Sequence, residues 1–83
     1  MPGYNTEIKH KEKLFHVQTQ DKGRSANYIE SIIYKSGRVL TSKKIFYTPF
    51  LSIKNLGEKI QQLIKEQHNT VIKEIKEGKF DHL

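Results

Sequence analysis

Tyr4-Asn5-Thr6-Glu7-Ile8-Lys9-His10-Lys11-Glu12-Lys13-Leu14-Phe15-His16-Val17-Gln18-Thr19 alternates with a period of two, the mark of half-buried strands. If His10 and Lys13 flank the turn, Ile8 faces Phe15, Thr6 faces Val17 and Tyr4 faces Thr19. The opposite face then pairs Glu7 with His16 and Asn5 with Gln18. A slip of one residue would scramble this sorting, so the register supports itself. Lys11-Glu12 is not a favoured dipeptide for a tight type I′ turn, and a looser four-residue loop stands as an equal alternative.

Outward from this hairpin, Asp21-Lys22-Gly23-Arg24-Ser25-Ala26-Asn27 has loop chemistry, with Gly23 suited to a positive φ and Asp21 able to cap its own turn. Tyr28-Ile29-Glu30-Ser31-Ile32-Ile33-Tyr34 follows, rich in β-branched and aromatic residues. Ser36-Gly37 is a hairpin signal, and Val39 to Tyr47 returns. A two-residue loop there sets Glu30 opposite Lys43, an opposite-charge pair of the kind that stabilises a ladder.

This second hairpin sorts poorly. One face holds Ile29, Ile33, Leu40 and Phe46 around Ser31 and Ser42. The other holds Tyr28, Ile32, Tyr34, Val39, Ile45 and Tyr47 around Glu30 and Lys43. The first face is expected under the helix, because two serines allow close approach. The competing readings reverse the faces, or mix them through a bulge.

Beyond the strands, Thr48-Pro49 offers one helix start. Asn55 with Glu58 offers another, at capping-box spacing. Leu56, Ile60, Leu63, Ile64, Gln67, Val71 and Ile75 then follow helical spacing, with Ile72 widening the stripe. Gly78 suits the C′ position, and Lys73 and Lys76 suit the negative end of the helix dipole. Phe80 is placed to fold back over the helix end.

The fold class is therefore α+β: a four-stranded antiparallel β-meander packed by one long C-terminal helix. The strands are expected near 4–9, 14–20, 27–35 and 39–47, and the helix from 50 or 56 to 77, within one domain spanning 1–83. The expected core is Ile8, Phe15, Val17, Ile29, Ile33, Leu40, Phe46, Ile60, Leu63, Ile64 and Val71.

The 83 residues include no cysteine, which leaves no disulfide or thiolate metal site to supplement a modest core. The N-terminus lacks the apolar run of a secretory signal, and no stretch reaches the length of a membrane-spanning helix. The expectation is a cytoplasmic protein with no membrane partner.

The net charge of +6 is uneven. Residues 13–49 hold seven Lys or Arg against Asp21 and Glu30, a surplus of five. Residues 50–83 hold six against five, and residues 1–12 balance. The positive field thus belongs to the sheet.

Phe15-His16-Val17-Gln18-Thr19, with Asp21 and Gly23 just after, resembles the signature of a group of short, uncharacterised bacterial proteins. Gln67-His68 followed by Gly78, Phe80 and Asp81 resembles their C-terminal part. The chain departs from the group at Gln20, where an acidic residue is usual. The resemblance implies a free-standing bacterial domain and carries no activity with it.

Catalysis finds little support. No Gly-x-Ser-x-Gly elbow, glycine-rich phosphate loop or paired buried carboxylates are present. His10, His16, His68 and His82 form no His-x₃-His pair, and no carboxylate completes a ligand set. His16 beside Gln18 and Glu7 reads as a surface pair, and His68 as a solvated or hydrogen-bonded helix-edge residue. No metal, cofactor or enzymatic activity is expected.

Two binding functions remain. A protein-interaction or assembly module, through a homodimer or another protein, would use Tyr28, Ile32, Tyr34, Val39, Ile45 and Tyr47, because one helix can cover only one apolar face. A nucleic-acid-binding domain would use Lys22, Arg24, Lys35, Arg38, Lys43 and Lys44 among the tyrosines. The topology resembles a plant class of DNA-binding domain and the arm-binding domains of some integrases, without a shared motif. The first function is preferred, since unpaired apolar surface needs covering and a moderate positive charge is ordinary.

Overall fold

The computed structural model describes residues 3–83, in which four strands form one antiparallel sheet in the order β1-β2-β3-β4. The strands are β1 (Tyr4–His10), β2 (Lys13–Asp21), β3 (Tyr28–Lys35) and β4 (Arg38–Phe46). A single 3₁₀ turn, Thr48–Phe50, leads to the helix α1 (Leu56–Lys76). The meander-plus-helix expectation holds, and the helix takes the later of its two candidate starts.

The first hairpin has the expected register throughout, from Tyr4 opposite Thr19 to His10 opposite Lys13. Its turn is the tight one. Lys11 and Glu12 adopt φ of 50° and 65°, the left-handed pair that a type I′ turn requires. The turn twist matches the strands, and the cross-strand sorting of Ile8 with Phe15 offsets an unfavourable dipeptide.

The second hairpin departs from the preferred reading and follows the competing one, in which a bulge mixes the faces. Ser36 and Gly37 make its turn, and Lys35 pairs with Arg38 and Tyr34 with Val39. Ile33 then pairs with Thr41. Leu40 is the extra residue of a β-bulge, which reverses the facing of everything after it. Glu30 consequently stands opposite Lys44 and not Lys43.

Ile45 turns under the helix, while Phe46 and Ser42 turn outward. Of the two serines expected to admit the helix, only Ser31 is buried. Phe46 leaves the expected core at 55 % exposure, and Leu40 and Leu63 are half-buried. Tyr47, Ile75 and Phe80 join the core.

The helix covers β1, β2 and β3 in two apolar clusters. Toward the hairpin turns, Ile8, Phe15, Val17, Ile33, Val71, Ile75 and Phe80 pack together. Toward the helix start, Ile29, Tyr47, Ile60 and Ile64 do so. Burial of each such side chain stabilises the fold by about 1.5–3 kcal/mol before entropy is counted.

The helix start lacks the expected cap: the Asn55 side chain makes no capping hydrogen bond. The end is well built. Gly78 has φ of 84°, its N–H donates to the Ile75 carbonyl at 3.0 Å, and the Lys79 N–H donates to the Glu74 carbonyl at 3.1 Å. This double bond set is a Schellman motif. Phe80 folds back as expected, and Asp81 accepts from Lys11 Nζ at 2.8 Å. That hydrogen bond holds the Asp81 carboxyl below its usual range.

Candidate functional site

The face of the sheet opposite the helix is built in cross-strand rows. Glu7, His16, Tyr34 and Val39 form one row; Asn5, Gln18, Ile32 and Ser42 form the next. Gln20, Glu30 and Lys44 follow, and Tyr28 stands beside Phe46. Val39 is 65 % exposed and Leu14 50 %, so with Phe46 this face carries large apolar side chains in contact with solvent.

Aromatic contacts order the face at both ends. His16 meets Tyr34 edge-on, with ring centroids 5.9 Å apart, and His16 Nε2 lies 3.2 Å from Asn5 Oδ1. Tyr28 and Phe46 are 5.0 Å apart, and Lys44 Nζ lies 4.9 Å above the Tyr28 ring. Between Glu7, Leu14, His16, Gln18, Tyr34 and Gly37 is an open depression of about 320 Å³.

Of the six residues expected to form a partner surface, Tyr28, Ile32, Tyr34 and Val39 share this face. Ile45 and Tyr47 do not, because the bulge and the end of β4 place both against the helix. Leu14 and Phe46 replace them.

Tyr47 is wholly buried, and its hydroxyl donates to Asp21 Oδ1 at 2.7 Å, with the Gly23 carbonyl oxygen 3.0 Å away. Asp21 Oδ1 also accepts from the Gly23 N–H at 2.9 Å, the expected self-capped turn, and Gly23 has a φ of 93°. Burial, followed by the Asp21 carboxylate, pushes the Tyr47 phenol up to about 12.

The six candidate nucleic-acid contacts are not brought together. Lys43 points to the helix side and donates to Glu74 Oε1 at 2.7 Å. Lys22 and Lys44 flank Glu30 on the open face, with Lys22 Nζ 4.0 Å from Glu30 Oε1. Arg24 lies 5.7 Å over the Tyr47 ring. Lys35 and Arg38 stand at the far corner, on the other face.

The histidines also separate. His68 is not at a solvated edge: it is 2 % exposed, with Nε2 2.8 Å from Thr6 Oγ1 and Nδ1 2.8 Å from Thr19 Oγ1. Thr19 Oγ1 lies 2.7 Å from Ser31 Oγ. This polar level divides the two apolar clusters. A neutral imidazole offers one donor and one acceptor, and hydroxyls serve as either, so both ring nitrogens are satisfied.

Burial, and then the nearby His16, lower the His68 pKa. The spacing Ile64, His68, Val71, Ile75 was the sequence signal for this position: it lies on the buried stripe.

Among the described residues, no group of three or more His, Asp or Glu side chains is placed to hold a metal ion, and no helix is long and apolar enough to cross a membrane. Comparison with protein-family models, with curated proteins and with solved structures finds no match to this chain.

Proposed function

We propose that this chain is a non-enzymatic assembly module that pairs with a second copy of itself through the open face of the sheet. The observation that carries the reading is the exposure of Leu14, Val39 and Phe46 around half-buried Tyr28, Ile32 and Tyr34. Exposed apolar surface of this kind, here in two patches parted by the row Gln20, Glu30 and Lys44, is a mark of contact sites.

Charge favours a like partner. Lys9, Lys22 and Lys44 stand against Glu7 and Glu30 on this face, a surplus of one in a molecule of net charge +6. Two such faces can meet with little repulsion. Four strands spaced 4.8 Å apart and about eight residues long offer roughly 500 Å² per copy. Two copies then bury about 1,000 Å², the lower bound for a specific and reversible interface.

The same reading takes the chain as a bacterial cytoplasmic domain, supported by the signature from Phe15 to Gly23 and the absence of cysteine. Nucleic-acid binding is the alternative, and the dispersal of its six cations over both faces counts against it.

The test is sedimentation over a concentration series, alongside titration with duplex and single-stranded DNA, each at low and moderate salt. Self-association that tolerates salt and is abolished by Ile32→Asp or Val39→Asp is expected. A protein that stays monomeric at high concentration, or that binds DNA with steep salt dependence, overturns the reading.

A further inference from the structure

The two hairpin turns lie at the same end of the sheet, where the helix terminates. Lys35 and Arg38 are direct cross-strand partners there, and Lys13 stands two residues from Phe15, the other partner of Lys35. All three are on the helix side of the sheet; Lys13 and Arg38 have no ion-pair partner among the described residues, and Lys35 meets the main-chain oxygen of Leu83. Like charges directly opposite one another destabilise an antiparallel pair, so the chain bears a local cost at this corner.

The nearby side-chain carboxylates do not relieve it. Asp81 is taken by Lys11 at 2.8 Å and lies 3.1 Å from His10 Nε2, and Glu12 at the turn tip makes no ion pair among the described residues. Lys35 Nζ is 5.6 Å from the centre of the Phe15 ring and donates to the main-chain oxygen of Leu83 at 3.0 Å, which engages one of its protons. An ammonium has three protons, so further donors remain.

The surface is concave at this point. One depression of about 390 Å³ is lined by Lys13, Lys35, Ser36 and Arg38, with Val39, Leu40 and Leu83 as its apolar wall. A second, of about 300 Å³, shares Lys13 and Lys35 and reaches Phe15.

We propose that this corner binds the phosphoryl group of a small phosphate monoester, held by Lys13, Lys35, Ser36 and Arg38, with its organic part against Val39 and Leu40. A dianionic oxyanion between three cations removes their mutual repulsion. The planar fork of arginine matches two phosphoryl oxygens, and the lysines act as point charges beside it. An apolar wall next to the cations selects an ester over the bare ion. Its three cations lie on the opposite side of the sheet from the proposed pairing face, Val39 stands at the edge the two share, and the proposal does not depend on that pairing.

The test is an amide-resolved NMR titration of the full chain at constant ionic strength, using inorganic phosphate and phenyl phosphate in place of chloride. Saturable shifts confined to residues 13 and 35–40 are expected, with phenyl phosphate the tighter ligand. The double variant Lys35→Gln with Arg38→Gln keeps its overall spectrum and weakens binding by about tenfold or more, as loss of charge-assisted hydrogen bonds requires. Non-saturating shifts, shifts spread over lysines such as Lys54 and Lys65, or equal affinity for the two probes overturn the proposal. So does a footprint seen with duplex DNA and absent with both probes, which assigns the corner to nucleic acid.

Discussion

Nδ1 of His68 lies 2.8 Å from Oγ1 of Thr19, and this contact joins the helix to the sheet at a polar level between two apolar clusters. Thr19→Val is nearly isosteric but leaves His68 and Ser31 each short of a buried partner. It should destabilise the fold by about 1–3 kcal/mol, read from the midpoint of urea unfolding. A cost near zero would mean that water enters and satisfies both groups.

The same level predicts an acid sensitivity. The folded-state pKa of His68 is lowered, chiefly by burial, below the ordinary value of 6.5. Unfolding therefore takes up a proton at this site once the pH drops under about 6.5. The stability is fully present above that pH and is lost as the pH falls toward the folded-state pKa. Urea midpoints measured from neutral to mildly acid pH should decline, and in His68→Gln the decline should be shallower. Equal slopes for the two proteins would remove His68 as the cause.

Tyr47 predicts the opposite dependence at high pH. Its phenol is raised from 10.0 to about 12 in the folded state, so the neutral form is favoured by folding. That stability is fully present below pH 10 and is lost as pH rises from 10 toward 12. Ultraviolet titration should show one of the four tyrosines ionising late. Tyr47→Phe should remove the late step and cost about 1.5–3 kcal/mol, as expected for a hydrogen bond to a charged acceptor.

In the helix stripe, Ile64 is fully buried and Leu63 only half-buried. Ile64→Ala should cost about 2–5 kcal/mol, and Leu63→Ala clearly less. Thermal and urea unfolding of the two variants give the order directly. The reverse order would require the helix to be rotated about its axis.

Lys43 and Arg38 separate structural from free cations. Lys43 is paired with Glu74 at 2.7 Å, half in solvent, so Lys43→Ala should cost up to about 1 kcal/mol at low salt and less at high salt. Arg38→Ala, which relieves repulsion from Lys35, should leave stability within about 0.5 kcal/mol or raise it slightly. Unfolding at two salt concentrations distinguishes them. It follows that lost binding in a Lys43 variant is not by itself evidence of direct contact.

The fold was legible because the first hairpin tests itself: the alignment that sets Ile8 against Phe15 also sets Glu7 against His16. The helix was legible from its stripe and from Gly78. The second hairpin was legible only as an alternative: its poor sorting admitted a bulge, but with Val39 and Leu40 both apolar nothing in the alternation marked which residue was extra. Ile45, Phe46 and Tyr47 were misplaced for that single reason. The polar level was missed for another: Thr19 meets Ser31 only through the pairing of β2 with β3, and His68 reaches them only once the helix is laid over the sheet.

The bulge at Leu40 makes inside and outside on β4 a matter of counting parity. Val39 already pairs with Tyr34 and Thr41 with Ile33, so deleting that one residue would close the ladder into a regular one and leave positions 41–46 on their present faces. Lys43 would keep its reach to Glu74, Ile45 would stay under the helix and Phe46 would stay outward. A single-codon deletion at this position would thus shorten the strand without turning a side chain over, the surplus residue serving as slack stored within the ladder.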